Sequence, residues 1–159
     1  MGKRKDIGQV RVGCGAGSRV RSGRAKMVSP ARLARLVRFV ARREGQRLGM
    51  IDLAIVGKDE IAALNRQHLR HAGPTDVLSF DLSDGTTRGL CAQIVVCWPV
   101  ALEQARLRGL AAADELMLYV IHGLLHLMGY DDTAVRQAAK MHAREEELLG
   151  EFLRKFRRR

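Results

Sequence analysis

Aromatic side chains are scarce in this chain: four Phe, two Tyr and one Trp account for 4% of its 159 residues. Proteins that read single strands by stacking bases need a platform of rings, so that mode of recognition is not indicated. Cysteine is scarcer. Cys14, Cys91 and Cys97 form neither an even set nor a C-x-x-C pair, which excludes a disulfide framework and fits a reducing cytosol. Long apolar runs are missing too. The longest, Leu116 to Ile121, has six residues, against about 20 needed for a membrane span. The basic N-terminus is not followed by the apolar stretch of a secretory signal, so a cytoplasmic location is expected.

Acidic residues are missing from the ends. Residues 1–48 hold 14 Lys+Arg against 2 Asp+Glu, residues 49–153 hold 9 against 15, and Arg154 to Arg159 add five more cations. The net charge of +11 therefore sits at the two termini, around a mildly acidic middle. Basic ends of this kind meet phosphates, and nucleic acid is the polyanion to expect in a cytosol; the alternative is a solvated, solubilising surface. At 47% hydrophobic and 28% charged, the rest reads as one globular domain. The organisation expected is a basic, flexible segment over 1–28, a single domain over 29–153 and a basic tail over 154–159.

What the sequence does contain is concentrated in Val120 to Thr133, V-I-H-G-L-L-H-L-M-G-Y-D-D-T. His122 and His126 stand four apart, so on a helix both imidazoles leave one face, a turn apart. Gly129 follows at the place where a helix ends in a left-handed residue. Asp132 comes three later, the spacing by which metzincins bring a third ligand to their histidines. The frame H-x-x-x-H-x-x-G-x-x-D thus offers two neutral nitrogens and one carboxylate oxygen, suited to zinc with an open position. The same residues admit a plainer reading, with core histidines and Asp132 as the N-cap of the next helix.

Ser29-Pro30 opens an amphipathic helix toward Gly45, with Leu33, Leu36, Val37 and Val40 inward and Arg32, Arg35, Arg38, Arg42 and Arg43 around the outside. Gln9 to Val12 alternates as a short edge strand would. Met50 to Val56 reads as a buried strand, and a helix opened by Asp59-Glu60 runs to about Arg70-His71. Thr75 to Leu82 alternates, and Cys91 to Trp98 is a further strand. Helices follow from Pro99 to Arg108, from Ala111 through both histidines, and from about Thr133 to Leu149 and into the Arg tail. The helix of the histidines carries Glu115, Tyr119, His122 and His126 on a stripe apart from its apolar one. The fold class expected is α+β: a small mixed β-sheet against several α-helices, the central helix bearing the histidines.

Two long motifs resemble one family. His122-Gly123-Leu124-Leu125-His126-Leu127-Met128-Gly129-Tyr130-Asp131-Asp132 resembles the H-G-x-L-H-L-x-G-Y-D-H signature of the bacterial YbeY family, metal-dependent single-strand endoribonucleases called rRNA maturation factors. Leu64-Asn65, Arg70 and Pro74-Thr75-Asp76-Val77-Leu78-Ser79-Phe80 resemble its L-N-x-x-x-R-x-x-x-P-T-D-V-L-S-F, and Ile94-Val95-Val96 resembles its strand before the central helices. The similarity covers about residues 50–149. It implies one Zn2+ held by His122, His126 and the residue at 132, and a catalytic Arg70 that engages RNA phosphate. At position 132 the family most often has His, where this chain has Asp132. Cys91-Ala92-Gln93 replaces L-G-D, and Asp81 replaces Pro.

The resemblance implies a zinc-dependent, single-strand-specific endoribonuclease acting in rRNA (16S 3′ end) maturation and ribosome quality control. Its partners would be rRNA precursors and the ribosomal small subunit or its proteins, with no membrane and no organic cofactor. A peptidase lacks its base, because the glutamate of H-E-x-x-H is here Gly123. No general base is evident; His68, His71 and a metal-bound hydroxide are the candidates, the hydroxide foremost. The rival reading is a non-catalytic, zinc-stabilised ribosome-assembly factor that binds rRNA.

Overall fold

A computed structural model describes residues 8–15, 27–69 and 73–157. Among these residues five helices and a four-stranded mixed sheet give an α+β fold, as expected. The first described element is β1 (Gln9–Cys14), inside the segment expected to be flexible, where it pairs in parallel with β2 (Leu48–Val56) at the sheet edge. Between them lies α1 (Pro30–Arg43). Ser29 accepts a hydrogen bond from Arg32 N at 3.2 Å, and Pro30 supplies a fixed φ at the first turn. Leu33, Leu36, Val37 and Val40 have no exposed surface. Each such side chain contributes about 1.5–3 kcal/mol on burial, so Leu36→Asp would detach the helix.

After β2 come α2 (Lys58–Leu69), β3 (Val77–Asp81) and β4 (Leu90–Cys97). The sheet order is β1-β2-β4-β3, with β3 the antiparallel edge. In β4 seven of eight residues are buried because it is central and covered on both faces. Ala92, Ile94 and Val96 enter the main core with α1, α4 and α5, while Val95 and Cys97 enter a smaller cluster with Ile61 of α2. In β2, Leu48 and Ile51 both face the main core despite their odd spacing, because the register shifts between them. An irregularity there reverses the alternation.

The C-terminal half is helical: α3 (Trp98–Arg108), α4 (Ala112–Leu127) and α5 (Val135–Lys155). The last helix runs to Lys155, into the basic tail as expected, because Phe152, fully buried, and Phe156 extend its apolar stripe onto Phe39 of α1. Helix α4 lies across β3 and β4, and the approach is close at Gly123. A Cβ there would stand 3.2 Å from Val77 Cγ2 and 3.3 Å from Ile94 Cγ2. The residue that denies the site a glutamate is thus also the one that seats the helix on the sheet. Among the described residues no single helix is long and apolar enough to cross a membrane.

Candidate metal centre

The last two turns of α4 present His122 and His126, ring centroids 4.6 Å apart, with their Nε2 atoms separated by 3.0 Å. Helix α4 then stops in a double closure: Gly129 N donates to His126 O at 3.1 Å and Tyr130 N to Leu125 O at 3.0 Å. This requires the left-handed backbone of Gly129, φ 99°. Asp131 steadies the turn by accepting from Thr133 N at 3.0 Å and Thr133 Oγ1 at 2.9 Å. Those bonds hold its carboxyl below the ordinary range.

Asp132 is left free to face back. Its Oδ2 lies 3.4 Å from His126 Nε2 and 3.7 Å from His122 Nε2. It does not cap α5: the N-cap is Ala134, with no side-chain bond. The three donor atoms fall within 4.8 Å of one another and could hold one metal ion. Exposure rises from His122 (22%) through His126 (32%) to Asp132 (40%), so the group opens to solvent on the Asp132 side.

Each imidazole is aimed from behind. His126 Nδ1 lies 3.1 Å from the Tyr130 carbonyl, which only accepts, so Nδ1 carries the proton and Nε2 keeps its lone pair for the centre. His122 Nδ1 lies 2.5 Å from Glu145 Oε1 on α5. Burial lowers the His122 pKa, but the Glu145 hydrogen bond and charge, with Asp76 and Asp132 behind them, outweigh it and the net direction is upward. Two lone pairs facing each other at 3.0 Å are unfavourable without a positive charge between them. The donor set therefore fits a cation.

The sequence profile described as Endoribonuclease YbeY matches residues 23–153. The chain belongs to the YbeY family. A Renibacterium salmoninarum protein named Endoribonuclease YbeY is 37% identical over 136 residues, covering 77% of this chain and 84% of its own. A Kineococcus radiotolerans protein of the same name is 38% identical over 114 residues, 67% of this chain and 66% of its own length. This chain thus spans just under two thirds of that relative. The solution structure of a Thermotoga maritima protein is 26% identical, with a TM-score of 0.59 over 94% of this chain and 92% of that one.

In this YbeY-family chain a cleft of about 480 Å³ adjoins His122. Its floor is the stripe read from the sequence: Glu115 and Tyr119, both buried, lead up to His122. Arg108 NH1 reaches both Glu115 oxygens at 3.1 Å, which accounts for a carboxylate only 2% exposed. The Tyr119 hydroxyl is buried beside Glu115 without a hydrogen bond of ordinary geometry, and burial, then Glu115, pushes its pKa up. Asp76 lines the opposite wall, its carboxylate accepting from Val77 N at 2.8 Å.

Arg70 and His71 lie outside the described residues. His68 is exposed and packs edge-on against Phe80, centroids 5.1 Å apart, rather than joining the histidine pair. Glu145 is the residue that sequence reasoning missed. Its signal was an acid within the buried stripe Met141, Glu145, Leu148, Leu149, Phe152, at helical spacing. An acid there needs a buried partner, and His122 is that partner.

Proposed function

We propose that this chain is a zinc-dependent, single-strand-specific endoribonuclease that matures rRNA precursors in the cytosol, at the 16S 3′ end and in ribosome quality control. The observation that carries the reading is the convergence of His122 Nε2, His126 Nε2 and Asp132 Oδ2 at 3.0–3.7 Å. Donors about 2.0–2.1 Å from a tetrahedral zinc stand roughly 3.3 Å apart, so these separations support one zinc ion. Three protein donors among the described residues, open on the Asp132 side, support a catalytic site over a closed structural one.

When bound, the metal would supply Lewis acidity toward a phosphoryl oxygen or a water. The protein's own contributions are positional. Glu145 and the Tyr130 carbonyl fix both imidazoles with Nε2 inward. Arg70, carried over from the family motif, holds the phosphate and offsets charge in the transition state. Gly123 supplies no proton acceptor, which supports an RNA substrate over a peptide.

The test is cleavage of single-stranded rRNA fragments by purified, nuclease-free protein, with and without chelator, beside His122→Ala. Cleavage lost on chelation and in the variant is the expected result. Tight binding with no cleavage under any condition overturns the enzyme reading in favour of an assembly factor.

A further inference from the structure

Helices α1 and α5 run side by side, and the cations on their shared surface are of two kinds. Some are matched: Arg43 pairs with Glu151 at 2.8 Å, and Arg144 reaches Glu44 and Glu147, the latter at 2.7 Å. Other cations of α1 have no such partner. A groove of about 420 Å³ along α1 is lined by Arg35, Arg38, Arg42, Arg43, Lys155 and Phe156. Among the described residues no carboxylate pairs with Arg35, Arg38, Arg42 or Lys155.

Two cations share one ring instead. Arg35 Cζ lies 5.2 Å and Lys155 Nζ 5.6 Å from the Phe156 centroid. Lys155 Nζ is also 5.9 Å from Phe39. Cation–π contacts hold the charged groups in place while leaving N–H donors unspent. Arg38 Nε is buried with no hydrogen-bond partner, a donor whose desolvation costs free energy unless an acceptor arrives. Like charges gathered this closely repel, so the arrangement is stabilised by an anion that spans them.

We infer that this groove is a second RNA-binding site, taking successive phosphates of a strand whose other part lies at the metal centre. The inference rests on the RNA substrate proposed above. The groove stands ten residues along α5 from Glu145, roughly 15 Å, a few phosphate spacings of a polynucleotide. Arginine forks match phosphate oxygens in pairs. A protein partner is less well served, since the cations cap the rings and leave little apolar surface for a desolvated interface core. A membrane surface needs apolar anchors, and none of the large exposed hydrophobics (Met50, Leu82, Leu107, Leu110, Val135) lines the groove; Val135 is at the far end of α5.

The test measures binding of a fluorescent 20-nucleotide 2′-O-methyl RNA to the metal-loaded protein across salt concentrations. The groove triple R35Q/R38Q/K155Q is compared with an equal-charge control on other surfaces, R11Q/R88Q/R106Q. The groove triple should weaken binding about tenfold and lower the salt slope by about 2, since each lost phosphate contact removes about 0.7. The control should change both far less. Zinc content and melting temperature should match wild type, which reads folding separately. Equal loss in both triples, or none in the groove triple, overturns the inference. Equal or tighter binding of poly-glutamate or of phosphatidylserine vesicles overturns the RNA assignment. A wild-type chain that binds RNA through the groove yet cleaves none leaves this site standing and removes the endoribonuclease reading.

Discussion

Glu145 stands 2.5 Å behind His122, on the side of the ring away from Asp132, and is itself 6% exposed. One helix therefore carries the imidazole of the candidate metal centre and the next carries the carboxylate that orients it. Removing Glu145 leaves a buried Nδ1 without its acceptor and the ring free to rotate. Outer partners of this kind are worth about 10–100-fold in metal affinity. Glu145→Ala should weaken zinc binding by that order in a chelator competition, and Glu145→Gln, which keeps an acceptor oxygen, by less. Wild-type affinity in both variants would show that His122 is held by packing alone.

The third donor is tested directly. Asp132→Ala should lose stoichiometric zinc by elemental analysis while keeping its helical circular dichroism, since Asp132 caps no helix. Asp132→His, which restores the residue most common in the family, should retain the ion. Full zinc in Asp132→Ala would remove that carboxylate from the ligand set.

Gly123 sets the clearance between α4 and the sheet. Alanine there gains up to about 1 kcal/mol of helix propensity. It also presses a methyl to 3.2 Å from Val77 and 3.3 Å from Ile94, and overpacking costs about 1–3 kcal/mol. Urea denaturation of Gly123→Ala should show a net loss, and Gly123→Glu a much larger one with no peptidase activity. A gain of the full helix term would mean that the sheet yields.

Thiol chemistry should divide the three cysteines. Cys14 is exposed, whereas Cys91 and Cys97 are buried, and burial pushes the Cys97 thiol up, away from the reactive thiolate. Native protein should react with about one equivalent of a thiol reagent and denatured protein with three. Rapid labelling of Cys97 in the native state would contradict its burial.

Periodic features of the sequence carried far. Strands β1 and β2, the basic helix α1 and the stripe Glu115, Tyr119, His122, His126 follow from spacing, because local geometry decides which residues share a face. The histidine pair and the stop at Gly129 belong to the same class. Whether Asp132 caps a helix or faces the histidines was beyond that logic: it turned on Asp131, one residue earlier, taking the Thr133 bonds. The partners of the imidazoles were beyond it too. Glu145 is 23 residues from His122, and only the packing of α5 on α4 joins them. The same packing pairs Arg43 with Glu151 and leaves Arg35, Arg38 and Arg42 without a carboxylate among the described residues. Sequence determined which chemistry this chain carries; the long-range approach of helices, which no local pattern encodes, decided which atoms can act together.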